Sequence, residues 1–254
     1  MERHVVITGA TGGIGLAIAQ RFATSGDTLH LLGRDSGKLS SLASTLRLTS
    51  TSCEIYTCDI GNAASLASTI ERIPAIDVLI NSAGSIPRLS LQQSRPSDWR
   101  SSWSDKVLGC IEATRLACER MQPDQGGRGG VVVNIIGTAG FRPNPKSIMT
   151  STANAALISF TLAAGAASVD HQVRIVGVNP GLTATPRTQG GASGSTTGAS
   201  GAQIAYAQAF ANLPYGRMAH ACEVAEAVWF LASPAASYIS GTVIDVDAGA
   251  RWRS

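Results

Sequence analysis

At 254 residues the chain is long for an average domain but within the span of one open α/β sheet, and 44% hydrophobic against 15% charged residues supplies a core and excludes a disordered chain. The net charge of +3 comes from scattered Lys and Arg without a basic run interleaved with aromatics, so no nucleic acid partner is expected. Cys53, Cys58, Cys110, Cys118 and Cys222 form no C-x-x-C pair and no Cys/His cluster at zinc spacing; they read as reduced thiols of a cytoplasmic protein with no metal site.

Met1 leads directly into Val5-Val6-Ile7 without the marks of a signal peptide, and no stretch holds about 18 uninterrupted apolar residues, so neither export nor a membrane span is expected. Short β-branched runs then alternate with segments of helical period. The first strand, 4–8, runs into Thr8-Gly9-Ala10-Thr11-Gly12-Gly13-Ile14-Gly15, which opens a helix with Ile14, Ala17, Ile18 and Phe22 on one face and Gly26 at its end. Glycines belong there because the backbone must turn sharply and come close to a diphosphate, with free N–H groups and the positive helix end facing the anion. Gly9, Thr11, Gly13, Ile14 and Gly15 are therefore candidate dinucleotide contacts.

The second strand, 28–32, ends at Gly33-Arg34-Asp35. The position where an NAD enzyme commonly places an acid on the ribose holds Gly33, and Arg34 beside it can pair with a 2′-phosphate, which favours NADP(H) over NAD(H). Further strands are expected at 54–57, 77–80, 131–135, 174–178 and 242–246 with helices between them. The result is one domain over 1–254, an α/β fold with a doubly wound, parallel, seven-stranded sheet of the Rossmann type in three αβα layers, its ligands lying outside the carboxyl strand ends. The stretch at about 187–213, rich in Gly and Ser, reads as a flexible loop over the substrate.

From Arg3 to about Ala250 the chain resembles the short-chain dehydrogenase/reductase family. Thr8 to Gly15 is similar to its T-G-x-x-x-G-I-G loop, and Asn81-Ser82-Ala83-Gly84 to N-N-A-G. Asp59 in Cys-Asp-Ile matches the acid at the adenine, and Asn179-Pro180-Gly181 with Thr185 matches P-G-x-x-x-T beside the nicotinamide. The resemblance implies that Asp59, Ile60, Asn81, Ala83, Gly84, Pro180, Gly181, Thr183 and Thr185 also line the cofactor. It equally implies a catalytic Asn, Ser, Tyr and Lys, with Tyr as general acid/base and its pKa lowered by the Lys ammonium.

All four of those positions are altered. Thr150 stands at the Tyr position, Asn154 at the Lys position, Gly137 at the Ser position and Lys106 at the Asn position. The tyrosines of the chain are all distant in sequence from 150, and a Thr hydroxyl is too weak an acid to titrate in place of a phenol. Lys where Asn is expected, and Asn where Lys is expected, suggests an exchange in which Lys106 projects an ammonium into the same pocket; drift of Lys106 to the surface is the alternative. Thr138, Ser147 and Tyr206 are further candidates for hydroxyl donors.

Three functions remain open at this point. One is an atypical NADP(H)-dependent oxidoreductase acting on a largely apolar carbonyl or alcohol. The second is a catalytically silent cofactor-binding homologue that serves as partner subunit of an intact enzyme or as a sensor, and the third is a pocket turned to cyclisation, elimination or isomerisation. The resemblance also implies a homodimer or homotetramer, with Trp99 and Trp103 near the interface.

Overall fold

The computed structural model describes residues 2–49, 51–186, 188 and 213–253. In chain order its strands are β1 (His4–Thr8), β2 (Thr28–Gly33), β3 (Cys53–Thr57), β4 (Val78–Asn81), β5 (Gly130–Ile135), β6 (Val173–Pro180), the short β7 (Thr183–Ala184) and β8 (Ala219–His220), and β9 (Thr242–Val246). The seven longer strands form one sheet in the order β3-β2-β1-β4-β5-β6-β9, every neighbour parallel. Each expected strand is present, 4–8 and 242–246 at the expected bounds and the others with ends shifted by one or two residues; β7 pairs with β8 in a small separate sheet that periodicity did not suggest. The expected substrate loop at 187–213, with Tyr206, lies outside the described residues apart from Thr188 and Leu213.

Alternation along the strands creates the three layers. Val5, Ile7, Leu29, Leu31, Val78 and Ile80 pack on one face against α1 (Gly13–Ala23), α2 (Ser36–Arg47) and α7 (Ala221–Leu231), while Val6, Leu32, Leu79 and Val132 pack on the other against α3 (Ala63–Glu71) and α5 (Gly109–Met121). Asp35 caps α2, accepting the Lys38 N–H at 3.0 Å, so helix capping accounts for that acid. α6 (Ile148–Ala167) is apolar enough by composition to span a bilayer, yet it packs against β6 and β9 and buries Asn154 and Thr161.

Two features set up the site. The winding direction reverses between β1 and β4, where Thr8 lies opposite Asn81, and that crevice is where such sheets hold ligands. Between α4 (Pro96–Ser102) and α5, residues Trp103–Leu108 widen into a π-helical turn, a form that recurs at functional sites.

Candidate functional site

The glycine loop after β1 folds back on itself so tightly that side chains are sterically barred. Gly9 has φ +66° and a Cβ there would sit 2.7 Å from Ala83 Cα; on Gly15 it would sit 2.3 Å from the Gly9 carbonyl oxygen. Gly12 caps α1 without any side-chain hydrogen bond, and the first turn carries no acid, so its N–H groups and positive helix end face outward. An anionic diphosphate fits this cradle. Thr8 Oγ1 accepts the Ala83 N–H at 3.3 Å, joining the loop to the segment after β4. Thr185 packs against Gly13, a Cβ on which would lie 2.6 Å from Thr185 Cβ, so two sequence-distant candidate segments meet.

The other candidate cofactor residues divide into exposed and structural positions. Arg34 stands 70% exposed at the end of β2. Asp59 Oδ1 accepts the Gly61 N–H at 3.1 Å in the bend after β3, and the Ile60 carbonyl packs on Gly109, where a Cβ would lie 2.8 Å away. Asn81 is buried, its Nδ2 donating to Asn134 Oδ1 at 2.9 Å and Thr114 Oγ1 at 3.0 Å, which ties β4 to β5 and α5. Gly84, at φ +115°, lies against Lys106, with a would-be Cβ 2.8 Å from Lys106 Cβ. Beyond β6, the Gly181 N–H donates to the Val246 carbonyl at 3.0 Å, and buried Thr183 donates to the Gly181 carbonyl at 3.1 Å.

Three of the four positions aligned with the family's catalytic set, Lys106, Gly137 and Asn154, meet at the carboxyl end of β5. Lys106, on the π-helical turn, donates from Nζ to the Ile136 carbonyl at 3.2 Å, and Asn154, on α6, donates from Nδ2 to the next carbonyl, that of Gly137, at 3.2 Å. Lys106 is thus half-buried and turned inward. Gly137 has φ +131°, and a Cβ there would stand 2.8 Å from Asn154 Nδ2, so any side chain at this position is strained. Asn154 Oδ1 is buried without a partner among the described residues. Thr150, on α6 with Asn154, and Thr138, next to Gly137, are half-buried, and Ser147, at the start of α6, is buried with its carbonyl accepting from Ser151.

A line of polar contacts supports this corner from behind. The Gly137 N–H donates to Asn179 Oδ1 at 3.2 Å, Asn179 Nδ2 donates to Asp245 Oδ1 at 3.0 Å, and Asp245 Oδ2 pairs with Arg251 Nε at 2.9 Å. Beneath it burial pushes the Cys110 thiol up to about 12 despite the Lys106 ammonium nearby, which makes it inert. Sequence reading missed Asn179 as a support, together with Asp245 and Arg251, because no local motif links positions so far apart.

The family model described as short chain dehydrogenase matches residues 3–194. The chain belongs to the short-chain dehydrogenase family. An uncharacterised short-chain dehydrogenase/reductase of Sinorhizobium fredii is 29% identical over 254 residues, covering 99% of this chain and 44% of that protein, so this chain spans under half of that relative. A 3-oxoacyl-[acyl-carrier-protein] reductase of Thermotoga maritima is 27% identical over 248 residues and 96% of each chain. Among solved structures, YwfH, an NADPH dependent reductase involved in bacilysin biosynthesis, superposes with a TM-score of 0.91 at 26% identity over 98% of both chains. This short-chain dehydrogenase is an oxidoreductase by class, with a nucleotide-binding cradle.

Proposed function

We propose that the chain is an NADP(H)-dependent oxidoreductase for a largely apolar carbonyl or alcohol, in which Lys106 replaces the missing tyrosine as the group that handles the substrate oxygen. The observation that carries this reading is the inward Lys106 Nζ on the Ile136 carbonyl, beside the Asn154 contact to Gly137. The nicotinamide, when bound, supplies or takes the hydride. Lys106 Nζ donates a hydrogen bond to the oxygen as negative charge develops there and passes it a proton in the reductive direction; Thr150 and Thr138 add hydroxyl donors, and Asn154 holds the Gly137 peptide. Half-buried Ile86 and Trp103, packed on the core cluster that holds Val107 and Ile136, support an apolar substrate, and Arg34 supports NADP(H) through bidentate pairing with a 2′-phosphate. A homodimer or homotetramer is the assembly that the family resemblance supports.

The test is Lys106→Met assayed by NADPH absorbance over a carbonyl panel, with cofactor affinity titrated on the same sample. Turnover is expected to fall about 10²–10⁴-fold, the worth of general acid/base catalysis, while cofactor affinity changes less than about threefold. Unchanged turnover overturns the role of Lys106. A second reading, a silent cofactor-binding homologue that partners an intact enzyme, is favoured by the Gly137 backbone, which strains any side chain at that position. NADPH binding without oxidation across the panel, and copurification with an intact homologue, is the outcome that supports it.

A further inference from the structure

The π-helical turn carries a second charged residue that this chemistry leaves unused. Asp105 immediately precedes Lys106, and its Oδ2 lies 3.7 Å from Arg34 Nη1. The turn is fastened on that side to the bend after β3, because Ser104 Oγ donates to the Gly61 carbonyl at 3.0 Å. A Cβ on Gly61 would lie 2.5 Å from Asp105 Oδ1, so glycine is what lets the carboxylate sit there. The Asp105 side chain is 29% exposed against 70% for Arg34, which makes the carboxylate the seated member of the pair and the guanidinium the one standing in solvent. Successive residues of one turn thus address opposite ends of the cradle, Asp105 the arginine at the end of β2 and Lys106 the carbonyl at the end of β5.

Resting on the reading that Arg34 takes a 2′-phosphate, we infer that Asp105 is a specificity-determining residue whose carboxylate competes with that phosphate for the Arg34 guanidinium. A 2′-phosphate brings nearly two negative charges to an arginine already facing one. It either displaces Asp105 or shares the guanidinium with it, and both lower affinity for the phosphorylated ligand alone. A cofactor without the 2′-phosphate leaves the pair undisturbed, so Asp105 narrows the gap between the two cofactors and moderates the selectivity that Arg34 provides. An exposed pair of this kind alters binding by about two- to fivefold, and salt screens it.

Calorimetric titration of the full chain with 2′,5′-ADP and with 5′-AMP at low salt tests this without any turnover. Asp105→Asn, nearly isosteric, is expected to bind 2′,5′-ADP about two- to fivefold more tightly and 5′-AMP almost unchanged, the gain fading near about 0.5 M salt. In an Arg34→Met background the same substitution is expected to give no gain, because the competition runs through the guanidinium. Unchanged or weaker 2′,5′-ADP binding by Asp105→Asn overturns the inference, and so does a gain that survives Arg34→Met. If instead Arg34→Met keeps a full preference for 2′,5′-ADP, or the parent chain has none, the assignment of Arg34 itself falls and the competition with it.

Discussion

Restoring the family's serine at position 137 should damage the fold instead of rebuilding a catalytic set. Gly137 holds φ +131°, with Asn154 Nδ2 2.8 Å from where a Cβ would stand. A residue with a side chain kept in such a sparsely populated conformation costs about 1–3 kcal/mol. Moving Asn154 off the Gly137 carbonyl leaves a buried amide and carbonyl unmatched, for about 1–3 kcal/mol more, although relaxation at Asn154 makes the two costs overlap. The expected loss for Gly137→Ser is therefore about 2–4 kcal/mol, or a melting temperature lower by about 5–15 °C for a chain of this length. Equilibrium urea unfolding at constant protein concentration measures it, and the same substitution made in Asn154→Ala should cost about 1–3 kcal/mol less. A Gly137→Ser protein within about 0.5 kcal/mol of the parent, or a cost indifferent to Asn154→Ala, refutes the coupling.

Two further expectations concern the frame around the site. His30 is fully buried between His4, at 3.0 Å, and the Tyr56 hydroxyl, at 3.3 Å; burial first and His4 second lower its pKa from 6.5 to about 4. Between those values the unfolded chain binds a proton that the native chain does not, so this contribution is intact above the upper value and stability falls by up to about 3 kcal/mol on acidification through the window. His30→Leu should flatten the dependence of unfolding free energy on pH there, and an identical slope refutes the assignment. Arg251 pairs with Asp245 at 2.9 Å and lies 4.4 Å from the ring centres of both Phe141 and Trp252. Arg251→Met leaves Asp245 without its cation and should cost about 1–3 kcal/mol while speeding amide exchange at Gly137; exchange unaltered there sinks the idea of a support line.

The sequence alone carried the strands, the doubly wound parallel sheet and the glycine turn, while the strand order that puts the reversal between β1 and β4 came from the fold. Those signals are local: runs such as Val5-Val6-Ile7 and Val131-Val132-Val133 announce buried parallel strands, and Gly15 answers a steric demand from Gly9 within the turn, whereas Gly9 and Gly13 also make room for the distant Ala83 and Thr185. The alignment of Lys106, Gly137, Thr150 and Asn154 with the family's catalytic positions rests on a resemblance that covers almost the whole chain. What the sequence left undecided was where the substitutes point. Asn81, aligned with cofactor-facing residues, directs its amide nitrogen to Asn134 and Thr114. Lys106, on a π-helical turn invisible to a 3.6-residue period, points inward to the Ile136 carbonyl at the end of β5. Gly137 and Asn154 prove to be one steric unit, and Asn179, Asp245 and Arg251 one line of charge and hydrogen bonds, only when β5, β6 and β9 lie side by side. Backbone propensity and hydrophobic period act over a few residues, whereas the direction of a charged side chain is set by groups that the sheet brings together from distant parts of the chain.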